Sequence, residues 1–178
     1  MYVTQLIGGY MDKIKITLDK GSQFKSNTDF DSGYDVVALG YRRVHNSTLL
    51  DKVELKDGEC VEIQPNETLL LTTGVKIELP EPVDKGDYYE IIELQARPRS
   101  GASLKEGKVV VLGTIDNKYR GEIGIILNNT SDNNITVNKG ERISQLVFNV
   151  IRKYKHIEIV ENLSETERGA NGFGSSGK

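Results

Sequence analysis

Turn residues interrupt this chain so often that few long regular elements can form. Short runs rich in Val, Ile, Leu and Tyr recur at 13–18, 34–41, 59–63, 68–79, 88–96, 108–113, 122–129, 134–137, 142–151 and 156–161. Between several of them stand KDGE (56–59), QPNE (64–67), PEPVDKGD (80–87), NTSDNN (129–134) and NKGE (138–141). Runs of that length bounded by Gly, Asn, Asp and Pro read as strands. No long segment carries an apolar stripe of helical period, and only SGASLKEG (100–107) reads as a short helix. The pattern predicts an all-β fold, a distorted jelly roll or β-sandwich with one short helix, because those architectures limit exposed sheet edges.

A chain of 178 residues suits a single domain with a full core. We read it as a β-rich catalytic domain over 1–163 followed by a flexible C-terminal arm, 164–178, rich in glycine and serine. The net charge of −3 argues against a nucleic-acid backbone as main partner. Residues 1–11 lack a basic segment and a long apolar run, so neither a signal peptide nor a membrane span is expected. Cys60 is the single cysteine, which excludes an internal disulfide, suits a reducing cytoplasm and predicts a buried, inert thiol. His45 and His156 stand far apart, so neither a zinc site nor a histidine-based triad is indicated.

Several segments carry chemistry. RGANGFGSSG (168–177) combines an arginine, an aromatic ring, hydroxyls and glycines, the makings of a phosphate clamp or of a plain flexible tail. GTIDNKYRGEIG (113–124) reads as strand, turn, strand, with Asp116 on a tight hairpin beside Tyr119, Arg120 and Glu122. Asp116 there is either a turn-capping aspartate or a general base. RPRSG (97–101) precedes the short helix, where backbone N–H groups and the Ser100 hydroxyl favour anions or simply cap the helix. DSGYD (31–35) and RISQL (142–146) add little individually.

Together and in this order, DSGYD, RPRSG, GTIDNKYRGE, GERISQL (140–146) and SETERGANGFGSSG (164–177) closely resemble the five motifs of the trimeric deoxyuridine triphosphatase family. The resemblance spans about residues 31–177. It implies Mg2+-dependent hydrolysis of dUTP to dUMP and pyrophosphate, a step of nucleotide metabolism that keeps uracil out of DNA. By position, Asp116 is implied as the carboxylate that activates the attacking water, and Tyr119 as the ring packed on the deoxyribose. The main chain of Gly113, Thr114, Ile115 and Gly124 is implied to read uracil. Arg99, Ser100, Gly101 and Gln145 are implied as phosphate contacts. Arg168, Phe173, Gly174, Ser175 and Ser176 are implied as the arm that closes over the nucleotide, and Asp35 as an acid linked to Mg2+ through water. A homotrimer with shared active sites is implied as well.

The sequence departs from the family pattern at Ala102, where leucine is common, and at Ser175–Ser176, where Ser-Thr is common. Val110 or Val111 stands where longer forms of the uracil hairpin carry asparagine. The loops 39–55 and 80–87 look longer than usual and offer an alternative role in binding a protein partner. Within the fold, a dCTP deaminase is the other reading, and Tyr119 and the intact arm argue against it.

Overall fold

The computed structural model describes residues 4–7, 10–167 and 169–170. Arg168, Phe173, Gly174, Ser175 and Ser176 of the expected clamp lie outside the described residues. One antiparallel sheet is ordered Val83–Asp84, Tyr88–Arg97, Arg142–Tyr154, Tyr34–Val37 and Phe24–Lys25, with Gly113–Ile115 also paired to Tyr88–Arg97. A second is ordered Lys108–Val110, Gly124–Asn129, Thr68–Thr72, Gly40–Arg42 and Val53–Glu54. Four further strand pairs complete the described sheet structure: Cys60–Ile63 with Ile135–Asn138, Lys15–Leu18 with Val75–Glu78, Thr4–Ile7 with Tyr10–Lys13, and Val44–His45 with Thr48–Leu49. The expected strand-dominated, jelly-roll-like architecture is therefore present, and Ser100–Glu106 is the one helix among the described residues.

Period-two patterning explains which side chains meet between the sheets. In Thr68–Thr72, Leu69 and Leu71 are fully buried while Leu70 is half-buried on the other face. They pack with Val36, Leu94 and Leu146 from the first sheet and with Ile125 and Leu127 from the second. The same alternation corrects the expectation for Cys60. In Cys60–Ile63, Val61 and Ile63 point inward, so Cys60 and Glu62 are turned to solvent and the thiol is exposed.

Three runs that read as continuous strands are each broken where the chain leaves one sheet for another. Tyr34–Val37 belongs to the first sheet and Gly40–Arg42 to the second. Residues 68–79 divide at Thr73 and Gly74. Gly74 adopts φ +66°, and a Cβ there would meet Leu39 Cδ1 at 2.8 Å and Asp19 Cβ at 2.9 Å. Lys108–Val110 pairs in the second sheet, whereas Gly113–Ile115 crosses to the first. A hydrophobic run records burial on both sides of such a corner but not the change of partner.

Segment 156–161 is the one expected strand that forms none. It alternates apolar and polar residues, but Ile157 and Ile159 are 83% and 96% exposed and no strand is assigned there. Alternation supplies a face to bury, and a strand also needs a neighbouring edge for its backbone. At the other expected element, the helix ends as glycine requires: Gly107 has φ 67°, and a Cβ would meet Ser131 Cβ at 2.8 Å.

The outward turn of Cys60 has a direct check. A thiol reagent should modify the native chain readily and without prior unfolding, and protection persisting until denaturation would contradict the register assigned to Cys60–Ile63.

Candidate active site

The turn carrying Asp116 lies where the two sheets diverge. Gly113–Ile115 pairs with Tyr88–Arg97, matching Gly113 to Ala96 and Ile115 to Leu94. Gly124–Asn129 instead pairs with Thr68–Thr72 and Lys108–Val110. The sequence reading of a tight hairpin is thus corrected: the two arms flanking Asp116 do not pair with each other, because each finds its partner in a different sheet. The backbone N–H of Tyr119 donates to the Asp116 carbonyl at 3.0 Å and closes the turn between them.

Rigidity comes from anchors on the turn and after it. At the turn's apex, buried Asn117 donates through Nδ2 to the carbonyls of Pro80 at 2.8 Å and Ile92 at 3.0 Å. After it, the Ile123 N–H donates to the Val75 carbonyl at 2.8 Å and the Thr73 hydroxyl donates to the Ile123 carbonyl at 2.6 Å. The Tyr119 hydroxyl donates to the Glu122 carbonyl at 2.8 Å. Arg120, which crowds the motif in sequence, is turned onto its own loop and donates to the carbonyls of Asn117 and Tyr119. The Asp116 side chain is exposed and makes no ion pair among the described residues.

A cleft of about 490 Å³ opens beside this turn. Thr114, Ile115, Asp116, Tyr119 and Gly124 line it, so five of the residues singled out in the sequence come together. Gly113, the first residue of the same strand, precedes Thr114. Gly124 has a steric reason to be glycine, since a Cβ would lie 2.6 Å from Leu70 Cδ1 on the cleft floor. The 39–55 segment adds Arg42, Leu49 and Lys52 to the wall of the cleft. None of these three carries a motif signature; what places them here is the pairing of Gly40–Arg42 with Thr68–Thr72.

Lys52 is the best-held cation of that wall. Its ammonium lies 2.8 Å from Glu54 Oε1 and 3.0 Å from Glu122 Oε2. Burial works against its charge, but the hydrogen bonds to Glu54 and Glu122 outweigh burial and raise its pKa above the ordinary value.

A second group of expected residues gathers around buried Asp35, 2% exposed. Its Oδ2 accepts from Arg142 Nη1 at 3.0 Å, and its Oδ1 lies 3.3 Å from Arg99 Nε. Arg99 also donates to the Arg142 carbonyl at 3.2 Å. Gln145 sits in register between Asp35 and Arg97. Ser100 and Gly101 open the helix that Arg99 precedes, with no side-chain cap on its first turn. The sequence reading named Asp35 and Arg99 separately; their pairing through Arg142 follows from strand register. Nearby, burial opposes the charge of Lys108, and hydrogen bonds to Glu106 and Glu141 prevail to raise its pKa.

The structure does not bring the two groups together within one chain. Ile115 is opposite Leu94, Gln145 is opposite Arg97, and one strand stands between them. At about 3.3 Å per residue and 4.8 Å per strand, roughly 16 Å of backbone separates Asp116 from Gln145.

As a metal site the donor set is restricted. Among the described residues no three His, Cys, Asp or Glu side chains converge. Asp35 faces two guanidinium groups, which occupy the directions a directly bound cation would need. Its Oδ1 is buried and has no hydrogen bond among the described residues. The arrangement argues against direct ligation of a cation by Asp35.

Comparison with known proteins bears on this arrangement. A family model described as dUTPase matches residues 54–177. The deoxyuridine 5'-triphosphate nucleotidohydrolase of Clostridium tetani is 49% identical over 118 residues, 65% of this chain and 74% of that protein. The Hydrogenobaculum protein of the same name is 46% identical over 121 residues, 67% of this chain and 77% of its own. Among solved structures, the Staphylococcus bacteriophage 80alpha dUTPase with dUPNHPP is similar with a TM-score of 0.70 at 27% identity, covering 93% of this chain and 98% of that one.

The anchoring of the turn can be tested without substrate. Asn117→Ala removes the two hydrogen bonds that a buried side chain makes to half-buried Pro80 and Ile92, and should lower unfolding free energy by about 1–3 kcal/mol in denaturant titration. A loss under about 0.5 kcal/mol, the usual range for uninvolved surface positions, would show that these bonds do not hold the turn.

Proposed function

The chain belongs to the dUTPase family, whose members hydrolyse dUTP, and from that premise we propose that Asp116 activates the water that attacks the α-phosphorus. Water oxygen bonds to the α-phosphorus as the bond to the bridging oxygen breaks, Asp116 takes the proton, and dUMP and pyrophosphate result. The observation that carries this reading is the convergence of Thr114, Ile115, Asp116, Tyr119 and Gly124 on one cleft. A carboxylate that is exposed to solvent and held on an anchored turn is suited to orienting a water.

Specificity follows from what lines the cleft. Main-chain groups of Gly113 through Ile115 and of Gly124 read the uracil edge, and the Tyr119 ring packs on the deoxyribose and leaves no room for a 2′-hydroxyl. Arg99, Ser100, Gly101 and Gln145 hold phosphate oxygens, and Arg168, Phe173, Gly174, Ser175 and Ser176 close over the nucleotide as an arm distinct from the 1–163 body. Asp35 would hold Mg2+ through water, and it keeps Arg99 and Arg142 in place. When bound, Mg2+ neutralises charge on the triphosphate.

The two groups of residues become one site if they come from different copies of the chain in a homotrimer. The backbone distance between Asp116 and Gln145 favours that arrangement over a site closed within one subunit. So does the 156–161 segment, whose Ile157 and Ile159 are exposed among the described residues. Open edges at Lys15–Leu18 and Phe24–Lys25 flank a cavity of about 510 Å³ with Phe24 and Tyr34 in its wall, a suitable seat for such a segment from another copy.

Replacing the carboxylate isolates the chemical step. Asp116→Asn should lower kcat by about 10²–10⁴ and leave dUMP affinity within about threefold, and wild-type turnover would refute its role. The same assay on dTTP, dCTP and UTP should show dUTP preferred by at least about 10², as expected where polar edges are read.

Shared sites predict complementation. Asp116→Asn and Arg168→Ala chains, each inactive alone, should recover activity when denatured together and refolded, because some mixed sites then carry both native groups. Sites closed within one subunit would recover none.

A further inference from the structure

Lys52 stands two residues before the stretch matched by the dUTPase family model, in a segment that none of the five motifs includes. Yet it lines the cleft that holds Asp116. Its ammonium bridges Glu54 at 2.8 Å and both oxygens of Glu122, at 3.2 and 3.0 Å. Glu122 Oε1 also accepts from the Gly74 N–H at 2.7 Å. Gly74 is a fixed point, since its φ of +66° and crowded surroundings exclude other residues. The Glu122 side chain is thereby clasped from two sides, and its own carbonyl receives the Tyr119 hydroxyl at 2.8 Å. At Gly121, next in line, a Cβ would collide with the Tyr119 ring.

We infer that Lys52 is a positioning residue that acts through Glu122 to fix the Tyr119 ring, so that the 39–55 segment sets how strictly the site selects deoxyribose. The inference rests on the reading of Tyr119 as the sugar-packing ring. A pocket wall excludes a hydroxyl only as far as the wall is stiff, and Tyr119, 45% exposed, has little packing of its own to stiffen it. The hydroxyl bond to Glu122 supplies the constraint, and the Lys52 clasp keeps Glu122 from swinging toward solvent. Glu122 is half-buried and Lys52 is close to it in exposure, so the pair is shielded enough to hold one geometry and open enough to avoid a large desolvation cost.

The experiment measures kcat/KM for dUTP and UTP in full-length wild type, Lys52→Met, Lys52→Arg, Tyr119→Phe and the Lys52→Met/Tyr119→Phe double variant. Lys52→Met should cut the dUTP over UTP preference about tenfold, mostly by raising activity on UTP and KM for dUTP, with kcat for dUTP changed less than threefold. Lys52→Arg should restore most of the preference. Tyr119→Phe should lower the preference similarly, and the double variant should fall no further, because both changes release the same ring. An unchanged preference in folded Lys52→Met, or fully additive losses, would overturn the inference. If Lys52→Met does not fold, Tyr119→Phe against Lys52→Arg decides it: a preference unaffected by loss of the hydroxyl removes the route through Glu122. Should Tyr119→Ala leave discrimination intact, the reading of Tyr119 itself fails, which separates that failure from a failure of the Lys52 role.

Discussion

The position of Asp116 depends on one change of partner. The chain from Lys108 to Ile115 starts in one sheet and finishes in the other, so the following turn cannot relax into either sheet. A turn at such a seam faces outward by necessity, since both arms are committed to separate layers. The core enforces the commitment: Val110 is packed with the second sheet's Leu127 and Ile125, and Leu94, opposite Ile115, is fully buried in the first. Moving the turn would require withdrawing buried apolar surface, which is the dominant favourable term in folding.

Polar anchors then convert a placed turn into a held one. Asn117 is tied to the carbonyls of Pro80 and Ile92, and Glu122 to Lys52 and the Gly74 N–H. Those partners come from segments 25 or more positions away in sequence. The two long segments that looked like decoration on the motif pattern, 39–55 and 80–87, each supply one such anchor, Lys52 and Pro80. Their contribution to the site is mechanical, whatever else their exposed surfaces do.

Around Asp35 the logic is electrostatic. A carboxylate 2% exposed is costly unless paired, and Arg99 and Arg142 pair with it from two sides. The same contacts keep both guanidinium groups, each partly exposed, fixed on the surface of the helix and strand that carry them. A preorganised pair of cations costs a polyanionic ligand less to bind than two free arginines would.

Strand content, the short helix and the motif segments were legible in the sequence because apolar runs, turn residues and short motifs are local properties. The apolar runs, the helix around Ser100–Glu106 and the turn at Asp116 all followed from neighbours in the chain. The exposure of Cys60, the corners at 38–39, 73–74 and 111–112, and the unpaired state of 156–161 did not, since each depends on which edge a strand meets. The sequence by itself determined the pattern of strands and turns and the order of the motif segments that marks the dUTPase family. Only the tertiary structure decided that the arms of the Asp116 turn part company, that Asp35 holds two arginines, and that Lys52 reaches the cleft, because hydrogen bonds and ion pairs between distant segments exist only once register and packing have brought them within about 3 Å.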